Sequence, residues 1–293
     1  MRAAAILGPG VSERDLEPFR LPGVELSIGN NFVVADAVLI LGGDGTVHHQ
    51  LAALVQARVP VLVVPHGSGN DFACALGLTS PQTALQAWTR FCAGKGNLRS
   101  IDLGVIQPLP EGAATYFCEA AGAGIDSAVV QRVNRMPPWL RRNGGYLLAT
   151  LAAIVSYRSR VTTISHPGEN PVAGFKTHLS EPALSVLIGN GSRYGDGMRI
   201  APDADFTDGL LDVCFVRDMP RLRVPGLLHT LYRGTHIHLG VVHYFRTARL
   251  RINTDLPVEL CADGEFVCRT PAEISVAPST LSVIVDNRSA PGQ

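Results

Sequence analysis

The apolar run Ala37-Val38-Leu39-Ile40-Leu41 has no polar interruption and stops on Gly42-Gly43, the pattern of a strand covered on both faces in a parallel sheet. From Thr46 the period changes, with Val47, Leu51, Leu54 and Val55 at helical spacing. Val61-Leu62-Val63-Val64 repeats the first pattern and is closed by Pro65 and a second glycine turn. A helix is expected from Asn70 or Asp71 through Leu76, and another from Pro81 to Phe91, where proline suits a first turn. Met1 to Leu7 reads as an opening strand, cut off by Gly8-Pro9-Gly10. Strand, turn and helix in repeated order predict a parallel sheet with right-handed crossovers.

Past residue 100 or so the texture changes. Strand-like stretches at 115–120, 184–188, 211–216, 249–253, 258–261 and 266–269 are separated by glycine- or aspartate-rich turns, and only 127–133 and 146–157 read as helical. That spacing predicts an antiparallel sheet or sandwich. Ser282-Val283-Ile284-Val285 is a last strand that could return to either part. The expected division is an α/β unit over 1–100, with a return of 279–293, and a β unit over 101–278.

Composition narrows the partners. Lys+Arg and Asp+Glu stand at 25 each, so the chain lacks the broad positive field of non-specific nucleic-acid binding. A hydrophobic content of 46% is enough for a full core. The six cysteines are scattered without a Cys-x-x-Cys pair, which predicts reduced thiols in a cytoplasmic protein. The longest apolar run, Leu147 to Val155, falls short of the ~20 residues of a membrane span.

The candidate chemistry lies in the glycine turns. Gly42-Gly43-Asp44-Gly45-Thr46 sits between a strand and a helix, at the carboxyl edge of the sheet where ligands bind. Glycines admit a phosphate close to the backbone, and a helix start offers unpaired N–H groups. A carboxylate there repels phosphate unless Mg²⁺ lies between, which makes Asp44 the candidate for metal–nucleotide phosphate. A tight turn with Thr46 as helix cap is the structural alternative. Pro65-His66-Gly67-Ser68-Gly69-Asn70-Asp71 occupies the equivalent position after the next strand, so the two loops could wall one pocket. Ser68 could donate to phosphate or sugar and Asn70 could donate and accept, or Asn70 and Asp71 could simply cap a helix.

These two motifs, with Asn70-Asp71-Phe72-Ala73 closing the second, resemble the nucleotide-binding core of the diacylglycerol kinase catalytic family, which includes sphingosine kinases and bacterial lipid kinases. The resemblance continues through Leu187-Ile188-Gly189-Asn190-Gly191, the segment from Ala201 to Val213, and Ala262-Asp263-Gly264-Glu265. It implies an N-terminal nucleotide domain of the NAD kinase/diacylglycerol kinase type, a C-terminal antiparallel β-sandwich, and an active site in the cleft between them. It also implies ATP and Mg²⁺ as cofactors and a lipid hydroxyl as acceptor, reached transiently at the inner face of the membrane. By similarity Asp263 is the general base with Glu265 in support, although the sphingosine branch suggests Asp44 for that role. Asp-Gly between strands is also good hairpin chemistry. A structural Mg²⁺ is implied at Asp208, with a Leu210 carbonyl and an oxygen from Asp205. A solvated acidic turn is the alternative. The chain departs from the family at His48-His49, where Asn-Glu is usual, and in its short N-terminus around Gly8 and Gly10. These departures motivate a second reading as a catalytically weak nucleotide- or lipid-binding regulator, and an NAD kinase-like enzyme is a third.

Weaker signals complete the reading. Gly122-Ala123-Gly124-Ile125-Asp126-Ser127 is read as a strand-to-helix turn rather than a dinucleotide site. His236 and His238 are placed on one face of a strand and His243 on the other, which speaks against zinc. Arg132, Arg135, Arg141 and Arg142 around Trp139 suggest a membrane-docking tip. A homodimer is left open.

Overall fold

The computed structural model describes residues 1–67, 69–137, 140, 145–168, 174–195 and 197–286. The chain divides into two compact units, Met1–Leu103 with Gly195–Gly197 and Ala277–Gln293, and Gly104–Tyr194 with Met198–Val276.

The first unit is built on parallel strands β1 (Arg2–Leu7), β2 (Glu25–Ile28), β3 (Ala37–Gly42) and β4 (Val61–Pro65) in the spatial order β4-β3-β1-β2. Every residue of β3 is buried, which is why its sequence shows no alternation. A short helix, α1 (Glu13–Leu16), follows β1, and the 14-residue α2 (Asp44–Ala57) follows β3 and buries Val47, Leu51 and Leu54. Gly43 rather than Thr46 holds the N-cap position of α2, so the helix starts two residues before the hydrophobic period becomes visible. The five-residue α3 (Asp71–Ala75) follows β4. It leads to α4 (Pro81–Cys92), where the Ser80 hydroxyl accepts the Thr83 N–H at 3.2 Å and Pro81 opens the first turn. Trp88 of α4 is fully buried and its indole N–H donates to the Phe19 carbonyl at 2.9 Å. The chain end returns to this sheet, with Val283 in parallel register beside Val61.

The second unit is antiparallel. β7 (Ala120–Gly124), β9 (Phe175–Gly189), β10 (Leu211–Arg217) and β11 (Val242–Thr247) pair in that order, and β8 (Arg160–Pro167) and β12 (Arg249–Thr254) extend from β9. The hairpin β13 (Glu259–Ala262) and β14 (Glu265–Arg269) joins through β13 to β7. Side chains alternate across β9 and β10. Val186, Ile188, Val213 and Phe215 enter a core with Phe117, Leu250, Ile252 and Ile274, while Leu184, Leu187, Cys214 and Val216 enter a second one.

Three sequence expectations are corrected here. The stretch 115–120 is not one strand, because β6 (Thr115–Phe117), which pairs with β5 (Leu98–Pro108), and β7 are separated at Cys118-Glu119. Besides α5 (Ile125–Asn134) and α6 (Tyr146–Ser156), the unit holds α7 (Val224–Arg233), which buries Val224, Leu227 and Leu231 in the second core. Pro225 and Gly226 hid it, but proline in a first turn costs no hydrogen bond. His236 and His238 lie in a 3₁₀ turn rather than a strand, with His236 buried and its Nε2 hydrogen-bonded to the Ile200 carbonyl. Among the described residues no helix is long and apolar enough to cross a membrane.

The first turn of α5 holds a carboxyl with an unusual titration. Burial pushes Asp126 up from 3.8 to about 6, against the opposing pull of the Ser185 hydroxyl, which donates to it at 2.5 Å. A carboxyl raised in the folded state favours the fold when protonated, and that contribution is lost as pH climbs from the unfolded value through about 6. In thermal melts, the Tm of Asp126→Asn relative to the parent is therefore expected to rise between about pH 4 and about pH 8, because the amide never ionises.

Candidate active site

Gly42 of β3 lies in register with Pro65 of β4, and the His66 N–H donates to the Gly42 carbonyl at 3.0 Å. Both glycine turns therefore leave adjacent parallel strands at the same edge. They touch backbone to backbone: a Cβ on Gly67 would stand 2.4 Å from the Gly43 Cα, and a Cβ on Gly43 would stand 2.8 Å from the Gly67 Cα. Only glycine at both positions permits this approach. Gly67→Ala is expected to push the turns apart, lowering stability by about 1–3 kcal/mol, as read by thermal melting.

Asn70 fixes the second turn. It adopts φ 55° and its side-chain amide bridges Gly67, the oxygen accepting the Gly67 N–H and the nitrogen donating to the Gly67 carbonyl, both at 2.7 Å. Asp44, the first residue of α2, reaches across to the second turn. Its carboxylate accepts the N–H groups of Asp71 and Phe72, each at 3.2 Å, at the start of α3. A Cβ on Gly69 would stand 3.2 Å from the same carboxylate. Gly45 and Thr46 follow in the first turn of α2, and the Thr46 N–H donates to the Gly43 carbonyl at 2.9 Å. Asp71 is buried, and its carboxylate accepts the Gly197 N–H at 3.0 Å. Ser68 lies outside the described residues.

Two contributors lie outside the two glycine motifs. Gly8, at the end of β1, packs against the first turn so closely that a Cβ would meet the Thr46 hydroxyl at 2.7 Å and the Gly42 Cα at 3.1 Å. The Gly8-Pro9-Gly10 break and the departure from the family at this end of the chain were its signals in the sequence. Gly197 is 126 positions from Asp71 and carried none.

The donor set fits a metal-bound phosphate. A hard carboxylate is oriented by two amides beside bare glycine backbone at the N-terminus of a long helix.

The other carboxylates lie in the second unit. Asp263 is 5% exposed and forms the β13–β14 turn at φ 47°. It accepts backbone N–H groups from Cys118 and Glu119 at 2.9 Å and from Ala120 at 3.2 Å, which pins the hairpin to the break between β6 and β7. Glu265 is half-buried at the head of β14. In the acidic loop, Asp205 accepts the N–H and hydroxyl of Thr207 at 3.0 and 2.8 Å. Asp208 accepts the Leu210 N–H at 2.9 Å, and Arg246 lies 3.7 Å from its other oxygen.

A parallel sheet with two apposed glycine turns, carried in one chain with an antiparallel β-sandwich, is the architecture of the NAD kinase and diacylglycerol kinase class. Residues 15–106 match the diacylglycerol kinase catalytic domain, and residues 119–285 match the YegS C-terminal NAD kinase beta sandwich-like domain. The chain is 33% identical to a diacylglycerol kinase of Mycobacterium tuberculosis over 255 residues, covering 85% of this chain and 76% of that one. A diacylglycerol kinase structure from Bacillus anthracis superposes with a TM-score of 0.68 at 16% identity, covering 99% and 98% of the two chains. An NAD kinase from Archaeoglobus fulgidus, solved with ATP, gives 0.57 at 14% identity over 98% and 95%. The chain belongs to the diacylglycerol kinase family, a family of phosphotransferases.

Proposed function

We propose that the protein transfers the γ-phosphoryl group of ATP to the hydroxyl of a lipid, giving a phosphate monoester. The observation that carries this reading is the contact of Gly43 with Gly67 under an Asp44 carboxylate tied to the start of α3. Backbone N–H groups of the two turns hold phosphate oxygens, and Asn70 keeps the second turn in shape. Mg²⁺, held by Asp44, would neutralise charge on the phosphates. The acceptor oxygen bonds the γ-phosphorus, the bond to the ADP oxygen breaks, and the hydroxyl proton passes to a carboxylate.

Of the candidate acceptors, Glu265 suits that proton better than Asp263, whose oxygens already take three backbone N–H groups. Asp263 then positions the hairpin that presents Glu265. Asp44, tied by two amides, serves the phosphates. A metal in the acidic loop would lean on main-chain oxygens such as that of Leu210, since Asp205 and Asp208 are engaged in the loop's own turns. The protein works in the cytoplasm and visits the inner face of the membrane for its substrate.

γ-Labelled ATP supplied with a panel of diacylglycerol, sphingosine, monoacylglycerol and NAD tests the acceptor class. Label in a lipid supports the reading, and label in NAD alone overturns it.

A further inference from the structure

A cavity of ≈ 430 Å³ in the second unit opens at the C-terminal end of α6 and is lined by Arg132, Tyr157, Arg158, Arg160, Glu259 and Arg269, among others. It shares no residue with the glycine turns or with the Asp263 and Glu265 positions. Four guanidiniums meet one carboxylate there, although the chain as a whole carries no net charge. That carboxylate, Glu259, is paired with Arg269 at 3.4 Å. Arg132 is oriented by neutral acceptors, donating to the Ala128 carbonyl at 2.8 Å and the Ser156 hydroxyl at 2.7 Å, so its charge is not cancelled. Among the described residues, Arg158 and Arg160 make no ion pair with any carboxylate. Guanidinium forks gathered in a polar hollow match the paired oxygens of an anionic group such as phosphate.

The helix leading into this cavity supplies the second half of the argument. One side of α6 packs inward through Ala149, Ala153 and Ile154. Leu147, Leu148, Leu151 and Val155 form the opposite stripe and stand in solvent, Val155 at 85% and Leu147 at 65% exposure. An apolar helical face ending in a cluster of uncompensated arginines complements a surface whose interior is hydrocarbon and whose rim is anionic phosphate.

We propose that the arginine-lined cavity takes the phosphate headgroup of an anionic lipid while the exposed stripe of α6 enters the acyl layer, docking the second unit on the membrane. The choice of a membrane as partner rests on the lipid reading of the proposed function, but docking needs no turnover and is measured without ATP.

The test is co-sedimentation of the full chain with phosphatidylcholine vesicles, with and without phosphatidylglycerol. Each arginine near an anionic surface contributes about fivefold in partitioning, so Arg158→Ala with Arg160→Ala is expected to weaken binding to the anionic vesicles roughly thirtyfold. Binding to neutral vesicles should stay unchanged. Leu151→Ser with Val155→Ser should weaken binding to both, and added salt should reproduce the arginine effect alone. Thermal melts confirm that the variants fold, since all four side chains lie at the surface or the cavity mouth. Unchanged sedimentation of the double-arginine variant with anionic vesicles overturns the proposal. So does saturable binding of inorganic phosphate that this variant loses while vesicle binding persists, which would make the cavity a site for soluble anions. Failure of the kinase reading shows separately, as absence of lipid labelling from ATP in detergent-dispersed substrate.

Discussion

Asp44→Asn is expected to lower kcat about a thousandfold while leaving the protein folded. The asparagine oxygen can still accept one of the two N–H groups that Asp44 receives from Asp71 and Phe72 at 3.2 Å, so the start of α3 keeps a partner. What is lost is the negative charge beside the bare backbone of Gly43, Gly67 and Gly69. Phosphoryl transfer relies on positioning and charge compensation, and removing one preorganised electrostatic contact in such sites costs about 10²–10³ in rate. Asp44→Ala removes the cap as well and should add about 1 kcal/mol of destabilisation to the same catalytic loss. Steady-state rates and thermal melts on the two variants separate these effects. A rate within a few-fold of the parent for Asp44→Asn would remove Asp44 from the phosphate site.

The second large effect separates Asp263 from Glu265. Asp263 is buried and receives three backbone N–H groups, so Asp263→Asn must turn an NH₂ toward at least one donor. Leaving such groups unsatisfied costs roughly 2–4 kcal/mol, enough to lower Tm by several degrees whatever happens to activity. Glu265, by contrast, is only half-buried at the head of β14. Glu265→Gln should leave Tm near the parent value and cut kcat by about 10²–10⁴, the usual contribution of a general base. The opposite outcome, a fully folded but inactive Asp263→Asn beside an active Glu265→Gln, would return the proton to Asp263.

What the sequence disclosed follows from where burial is complete. β3 and β4 are covered on both faces, so their apolar runs stand out, and the glycine turns that end them were legible as a pair. The edge strand β2 is a different case. Only Leu26 of its four residues is buried, and an isolated apolar residue in a polar stretch gives no period to read. β11 buries only Val242, and the turn into it absorbed the histidines that looked like strand residues. α7 had the right spacing at Val224, Leu227 and Leu231, but its proline and glycine read as breakers because their place in a first turn depends on where the helix begins. In the site, motif residues close in sequence were readable. The Gly8 approach and the Gly197 donation to Asp71 were not, because they depend on backbone distances between segments far apart in the chain. The engagement of Asp263 by Cys118, Glu119 and Ala120 falls in the same class.

The most direct measurement is single-turnover transfer of label from γ-labelled ATP into the organic-extractable phase, run side by side for the parent chain and Asp44→Asn at equal protein. Label should accumulate in lipid with the parent and be nearly absent with the variant. Equal labelling by both, or none by a parent chain that binds ATP, would contradict the assignment of the paired glycine turns to lipid phosphorylation.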